Sequence, residues 1–152
     1  QDFTQTTTPF AVGLARFIDF EKGDFVGRTA LMAADKECRS WGIRVEGGTA
    51  VRGDTLEKSG QPVGRVTSST WSPYQVCGVG IVHLNNTNLG PGAVVDVQCT
   101  DGTLHRGELC TLPMYDPKGK IVRGINKVIP TEPEPWVGIP VTADTQANAE
   151  NA

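Results

Sequence analysis

The residues best suited to chemistry lie in the stretch GRVTSSTWSPY, Gly64 to Tyr74. Four hydroxyl side chains, Thr67, Ser68, Ser69 and Thr70, run into Trp71, Ser72, Pro73 and Tyr74, so hydrogen-bonding groups and aromatic surface share the end of one expected strand. Trp71 can stack on a flat ring while Ser72 and Tyr74 orient it, the usual composition of a ligand slot. The same residues can equally pack a domain interface or plug the rim of a barrel. A second cluster, LPMYDPKGKIVRG from Leu112 to Gly124, sets Tyr115 and Asp116 before a turn at Pro117 to Gly119. Lys118, Lys120 and Arg123 there form the one modestly basic patch, able to meet a carboxylate of a ligand or an acidic partner face, or simply to be solvated.

Other chemistries find little support. Gly47-Gly48 and the Gly78 to Gly80 pair lack the strand-turn-helix setting in which consecutive amides cradle a phosphate. No serine sits in a G-x-S-x-G elbow, and His83 and His105 share no motif. Cys38, Cys77, Cys99 and Cys110 form no C-x-x-C pair, which predicts buried free thiols rather than a metal site. Such cysteines suit a reducing compartment such as cytosol or mitochondrial matrix. With 14 Lys and Arg against 17 Asp and Glu, and no basic window, nucleic acid and anionic membrane are poor partners. No apolar run approaches the ~20 residues of a membrane-spanning helix.

The elements that must position these residues are mostly strands. A length of 152 residues suits one core. Residues 1–9 are threonine-rich and read as an extended lead-in. In FAVGLARFIDF the later half alternates like a strand, and Thr29 is placed to cap a short helix reaching Glu37, with Leu31 and Met32 as its buried side. SWGIRVEG puts Trp41, Ile43 and Val45 on one face and Arg44 and Glu46 on the other. Ser59 to Pro62 predicts a hairpin turn, with Val63 to Thr70 as the return strand. VCGVGIVHL is apolar enough to be central, and Gly78 and Gly80 predict a close backbone approach. NLGPG and TDG bound two further strands. About six strands, one early helix and no later helical period predict a mainly β fold, a compact antiparallel barrel. The prolines between Pro130 and Pro140 argue against ordinary ladder pairing, and Trp136, Val137 and Ile139 are the residues able to anchor that stretch on this domain or a neighbour.

Taken in order, these stretches resemble one family. TPFAVGLARFIDFEKGDFVGRTAL, residues 8–31, is similar to the lead-in to the C-terminal domain of the glycine-cleavage T-protein family, the aminomethyltransferases. GQPVGRVTSSTWSP, then GVGIVHL and LGPGAVVDV, follow in the family order, and LPMYDPKGKIVRG is similar to tetrahydrofolate-dependent demethylases, including the dimethylsulfoniopropionate type. The resemblance implies a barrel of the T-protein C-terminal type. It implies residues 1–39 as a connection from upstream folate-binding domains, residues 40–124 as the barrel, and residues 125–152 as a proline-rich arm. It also implies an enzyme that moves a one-carbon unit from an N-, S- or O-linked methyl or aminomethyl donor to tetrahydrofolate, with the catalytic aspartate and most folate contacts upstream. No catalytic residue is then expected in this chain. Trp71, Ser72, Tyr74 and Tyr115 become cofactor-binding candidates at the rim of the folate channel, and the upstream part of the same enzyme becomes the expected partner. Dimethylglycine and sarcosine dehydrogenases or oxidases, which end in the same domain, are an alternative. So is a non-catalytic barrel that holds a protein partner or a small ligand of its own.

Overall fold

Strands that bury alternate residues need partners on both edges, and the six strands of this chain supply them to one another. A computed structural model describes residues 2–128 and 130–139. Strands β1 (Ser40–Val45), β2 (Thr55–Lys58), β3 (Gln61–Ser72), β4 (Cys77–Leu84), β5 (Val94–Gln98) and β6 (Leu104–Cys110) pair antiparallel throughout. They close in the order β1-β4-β3-β2-β5-β6, with β6 returning to β1. The chain therefore forms the mainly β antiparallel barrel that its turn spacing predicts, and closure leaves the sheet without a free edge.

Ile43, Val45, Leu56, Val66, Val82, Leu84, Val95, Val97 and Leu109 fill the interior and are essentially inaccessible to solvent. In β5 the alternation is plain: Val95 and Val97 point inward, while Val94, Asp96 and Gln98 point outward. β4 tapers, with Val82 and Leu84 filling one end of the barrel and Gly78 and Gly80 the other. A Cβ on Gly78 would lie 2.0 Å from the Gly48 carbonyl oxygen, and one on Gly80 would lie 2.7 Å from that of Ser68. The close approach read from these glycines is thus real, and the turn after β1 seals the barrel there.

Several local expectations are corrected. The β2–β3 hairpin turns on two residues, Ser59 (φ 53°) and Gly60 (φ 71°), instead of four. Both lie in the left-handed region, the geometry whose twist matches flanking strands. Pro62 belongs to β3, opposite Glu57 and next to a register shift, the place in a ladder where a missing N–H is tolerated. Upstream, the alternation at Phe17 to Phe20 makes no strand, because none of the described strands lies beside it. A 3₁₀ turn, Ala15–Phe17, stands there instead. Helix α1 (Arg28–Ala33) is preceded by Gly27 rather than capped by Thr29, and it stops well before Glu37. Lys36 ends it by donating its ammonium to the carbonyls of Leu31 (2.7 Å), Met32 (2.8 Å) and Ala34 (3.1 Å). No residue of α1 is buried: Leu31 is half-covered and Met32 is exposed.

The lead-in is tied down at both ends. The Asp2 carboxylate accepts hydrogen bonds from the hydroxyls of Thr67 (2.6 Å) and Ser68 (3.0 Å). Phe10 is buried under the Lys36 ammonium, and the Ala11 carbonyl accepts from the amides of Arg39 and Ser40.

The prolines beyond Pro130 permit pairing on one side. Glu134 and Trp136 donate their amides to the carbonyls of Tyr74 (2.9 Å) and Gln75 (2.8 Å). Pro133 and Pro135, which have no N–H to give, alternate with them. Trp136 is half-buried and Ile139 buried against the barrel, whereas Val137 faces solvent. Residues 140–152 of the expected arm lie outside the described residues.

Candidate functional site

The site candidates gather where β3 passes into β4 and where the chain leaves β6. Successive residues of a strand face opposite ways, so Trp71 and Ser72 part company at the end of β3. Ser72 faces a cleft of about 500 Å³ together with Tyr74, Gln75, Val79, Met114 and Tyr115. Trp71, paired with Gly78 and 41% exposed, is not among the residues lining it. Three of the four candidates are thus brought together, and the aromatic residue that looked most suited to stacking is left outside.

Tyr115 reaches the cleft because the chain folds back after β6. Asp116 (φ 46°) accepts the amides of Lys120 and Ile121 on its two carboxylate oxygens, each at 2.8 Å, and so closes the following turn. Arg44, from the outer face of β1, donates to the Met114 carbonyl at 2.8 Å and holds the stretch before Tyr115 against the barrel. The rings of Tyr74 and Tyr115 meet edge to face with centroids 5.0 Å apart. The Tyr74 hydroxyl donates to Glu134 at 2.9 Å. The nearby Tyr115 hydroxyl and the Glu134 carboxylate push the Tyr74 phenol well above the ordinary tyrosine range, so at neutral pH it is a donor and no base.

Of the two readings of the basic patch, solvated lysines around a turn is the one observed. Arg123 spends its guanidinium on the carbonyls of Gly119 and Lys118 within its own turn, and Lys118 and Lys120 stand in solvent. Two residues that matter at this site, Arg44 and Glu134, carry no local signal. An arginine on the outer face of a strand reads as solvated, and nothing in the sequence sets position 134 beside position 74.

Ser40 and His83 are register partners on β1 and β4, and their side chains meet at 3.1 Å. Burial, then the guanidiniums of Arg65 and Arg39, lower the His83 pKa, and Ser40 is nearly inaccessible, so the pair reads as a strand-to-strand staple. Among the described residues no cluster of His, Cys, Asp and Glu could hold a metal ion. All four cysteines are free thiols, with Cys77, Cys99 and Cys110 buried and Cys38 half-buried. Burial pushes the Cys110 thiol up to about 11, which makes it inert at neutral pH.

His105 sits between two hydrogen-bond acceptors. Its Nε2 faces the Asp101 carboxylate at 2.7 Å and its Nδ1 faces the Glu46 carbonyl at 2.7 Å. Both partners accept, so only the imidazolium can donate to both. The hydrogen bond that His105 donates to Asp101 raises the His105 pKa, burial opposes it, and the Glu46 carbonyl adds to the rise. A raised folded-state pKa contributes stability that is complete below the unfolded value of about 6.5 and is lost as pH climbs through the folded value. Thermal unfolding should therefore show Tm falling from pH 6 to pH 8.5 in the natural chain, and falling less in His105→Gln. Parallel profiles for the two would contradict the assignment.

Comparison with known proteins places this geometry. The model of the glycine cleavage T-protein C-terminal barrel domain matches residues 39–116. An aminomethyltransferase of Thermosynechococcus vestitus is 36% identical over 64% of this chain and 28% of its own length. One of Streptomyces coelicolor is 32% identical over 75% of this chain and 33% of its own length. The crystal structure of the glycine cleavage system aminomethyltransferase T from Bartonella henselae superimposes with a TM-score of 0.62 at 24% identity, covering 74% of this chain and 33% of that one, a likeness of fold. The chain spans about a third of the length of the curated relatives it matches.

Proposed function

The chain belongs to the glycine cleavage T-protein family, as its C-terminal barrel domain, and from that premise we propose that it works as the closing wall of a tetrahydrofolate-dependent aminomethyl- or methyltransferase. The complete enzyme moves a one-carbon unit from an N-, S- or O-linked donor to tetrahydrofolate, whose N5 supplies the accepting nitrogen. The upstream part of the same enzyme is this chain's partner and carries the anionic residue that orients the donor.

The cleft at Ser72, Tyr74 and Tyr115 suits such a supporting role. Its volume and mostly apolar lining fit one flat ring system at the edge of a larger chamber. Tyr74 and Tyr115 would wall that ring, Ser72 would offer a hydroxyl, and the closed barrel would hold all three rigidly while water is restricted. Trp71, on the opposite side of β3, would touch the neighbouring domain rather than the cofactor.

The observation that carries this reading is the exposed apolar surface of residues 14–32. α1 has six residues, no side-chain cap and no buried residue, and a helix that short does not persist by propensity alone. Leu14, Phe17, Val26 and Met32 are all exposed around it. A surface of that kind needs cover, and the two-thirds of the relatives that this chain does not span are the natural source.

Mixing the chain with separately expressed upstream polypeptide should produce tetrahydrofolate-dependent one-carbon transfer, while the chain alone gives none. Turnover by the isolated 152 residues would defeat the proposal.

A further inference from the structure

The stretch from Glu134 to Ile139 runs across the barrel as a strap. At one end it is held by three hydrogen bonds: the amides of Glu134 and Trp136 on the carbonyls of Tyr74 and Gln75, and the Tyr74 hydroxyl on the Glu134 carboxylate. At the other end Gly138 (φ 83°) turns the chain so that the Ile139 amide donates to the Glu46 carboxylate at 2.7 Å, with the Ile139 side chain buried. Pro133 and Pro135 leave the outward edge without donors at those positions, so the strap pairs with the barrel on one side and invites no further strand.

Between these anchors the strap forms one wall of a cleft of about 390 Å³, facing Arg44, Met114, Tyr115 and Pro117. This cleft shares Tyr74, Gln75, Met114 and Tyr115 with the larger one. The Arg44 side chain lines this space and brings its positive charge there. Among the described residues the hold on the strap is slight beside a closed six-stranded ladder: four hydrogen bonds, one buried side chain, and Val137 wholly in solvent. Segments with so few buried contacts open well before the fold does.

We propose that residues 134–139 are an opening strap over the Tyr74–Tyr115 cleft, and that lifting it admits a flat aromatic anion whose acidic group takes the place of the Glu134 carboxylate on the Tyr74 hydroxyl. The two tyrosines supply the walls for the ring, and Arg44 supplies the positive charge. The class of ligand rests on the folate reading above, whereas the opening of the strap rests only on contacts within this chain and is read separately by its own amides.

The test uses the full chain and 1-anilinonaphthalene-8-sulfonate, a flat aromatic anion, as probe. In the double variant Glu134→Ala with Glu46→Ala, which leaves the Tyr74 hydroxyl free for the ligand, exchange of the amides at positions 134 and 136 with solvent should quicken about tenfold and the dye should bind about tenfold more tightly. Adding Pro117→Trp, on the exposed rim of the cleft, should cancel the gain in dye binding while the amides stay fast. Core amides of β4 and β6 report that each variant is folded. The proposal is overturned if the two strap amides of the natural chain exchange like those of a free peptide, or if the double variant leaves them unchanged. It is equally overturned if the strap loosens with dye affinity unaltered, or if the gain survives Pro117→Trp.

Discussion

Gly78→Ala should cost the barrel about 3 kcal/mol and lower Tm by roughly 10 °C, the upper range for overpacking a core. The new methyl carbon would sit 2.0 Å from the Gly48 carbonyl oxygen and 3.2 Å from the Val45 Cβ. A flexible side chain could swing aside; a backbone carbonyl cannot. The Gly47–Gly48 turn is itself constrained, because Gly47 holds φ 65°. A Cβ on Gly48 would meet the Cys99 sulfur at 2.8 Å. Relief at Gly78 thus requires moving the seal of the barrel end as a whole. Gly90→Ala is the control: its Cβ would meet nothing within 4 Å, and stability should stay within about 0.5 kcal/mol. Thermal unfolding of the two variants decides the matter, and a Gly78→Ala chain melting within about 2 °C of the natural one would refute the tight packing described.

Phe17→Asp with Val26→Asp should do the reverse, leaving the isolated barrel intact and disabling its assembly. Phe17 is 70% exposed and Val26 fully so, and neither touches the interior, so Tm of the chain alone should move by less than about 2 °C. If the leading segment is the face that meets the upstream domains, two charges placed there must be desolvated in an apolar contact. A loss of affinity for the upstream polypeptide of about 100-fold or more is expected, as for removal of two anchoring residues. Transfer activity of the mixture should fall in step. Titration calorimetry of the two halves would measure it, and unchanged affinity would move the interface elsewhere.

The fold was legible because the barrel obeys local rules. Alternation in β1 and β5, turns at Ser59-Gly60 and TDG, and small residues at Gly78 and Gly80 each state a constraint that only neighbouring residues need satisfy. Legibility failed where the constraint lies elsewhere in space. Among the described residues Phe17 to Phe20 alternates like a strand yet finds no strand to pair with, and Met32 of α1 stays exposed. Trp71 and Tyr74 are three positions apart at the end of one expected strand, but the pleat sends Trp71 away from the cleft that Ser72 and Tyr74 share. The join of Tyr74 to Tyr115 and Glu134 spans 41 and 60 positions and rests on how the chain leaves β6, which no short pattern encodes.

The central claim, that this barrel is one wall of a larger enzyme, is most directly tested by amide exchange over residues 14–32, with and without the upstream polypeptide. Exchange there should slow about tenfold or more when active enzyme is reconstituted, while the amides of β1–β6 keep the rates they have in the isolated chain. Exchange over residues 14–32 that stays as fast in the active assembly as in the isolated chain would contradict it.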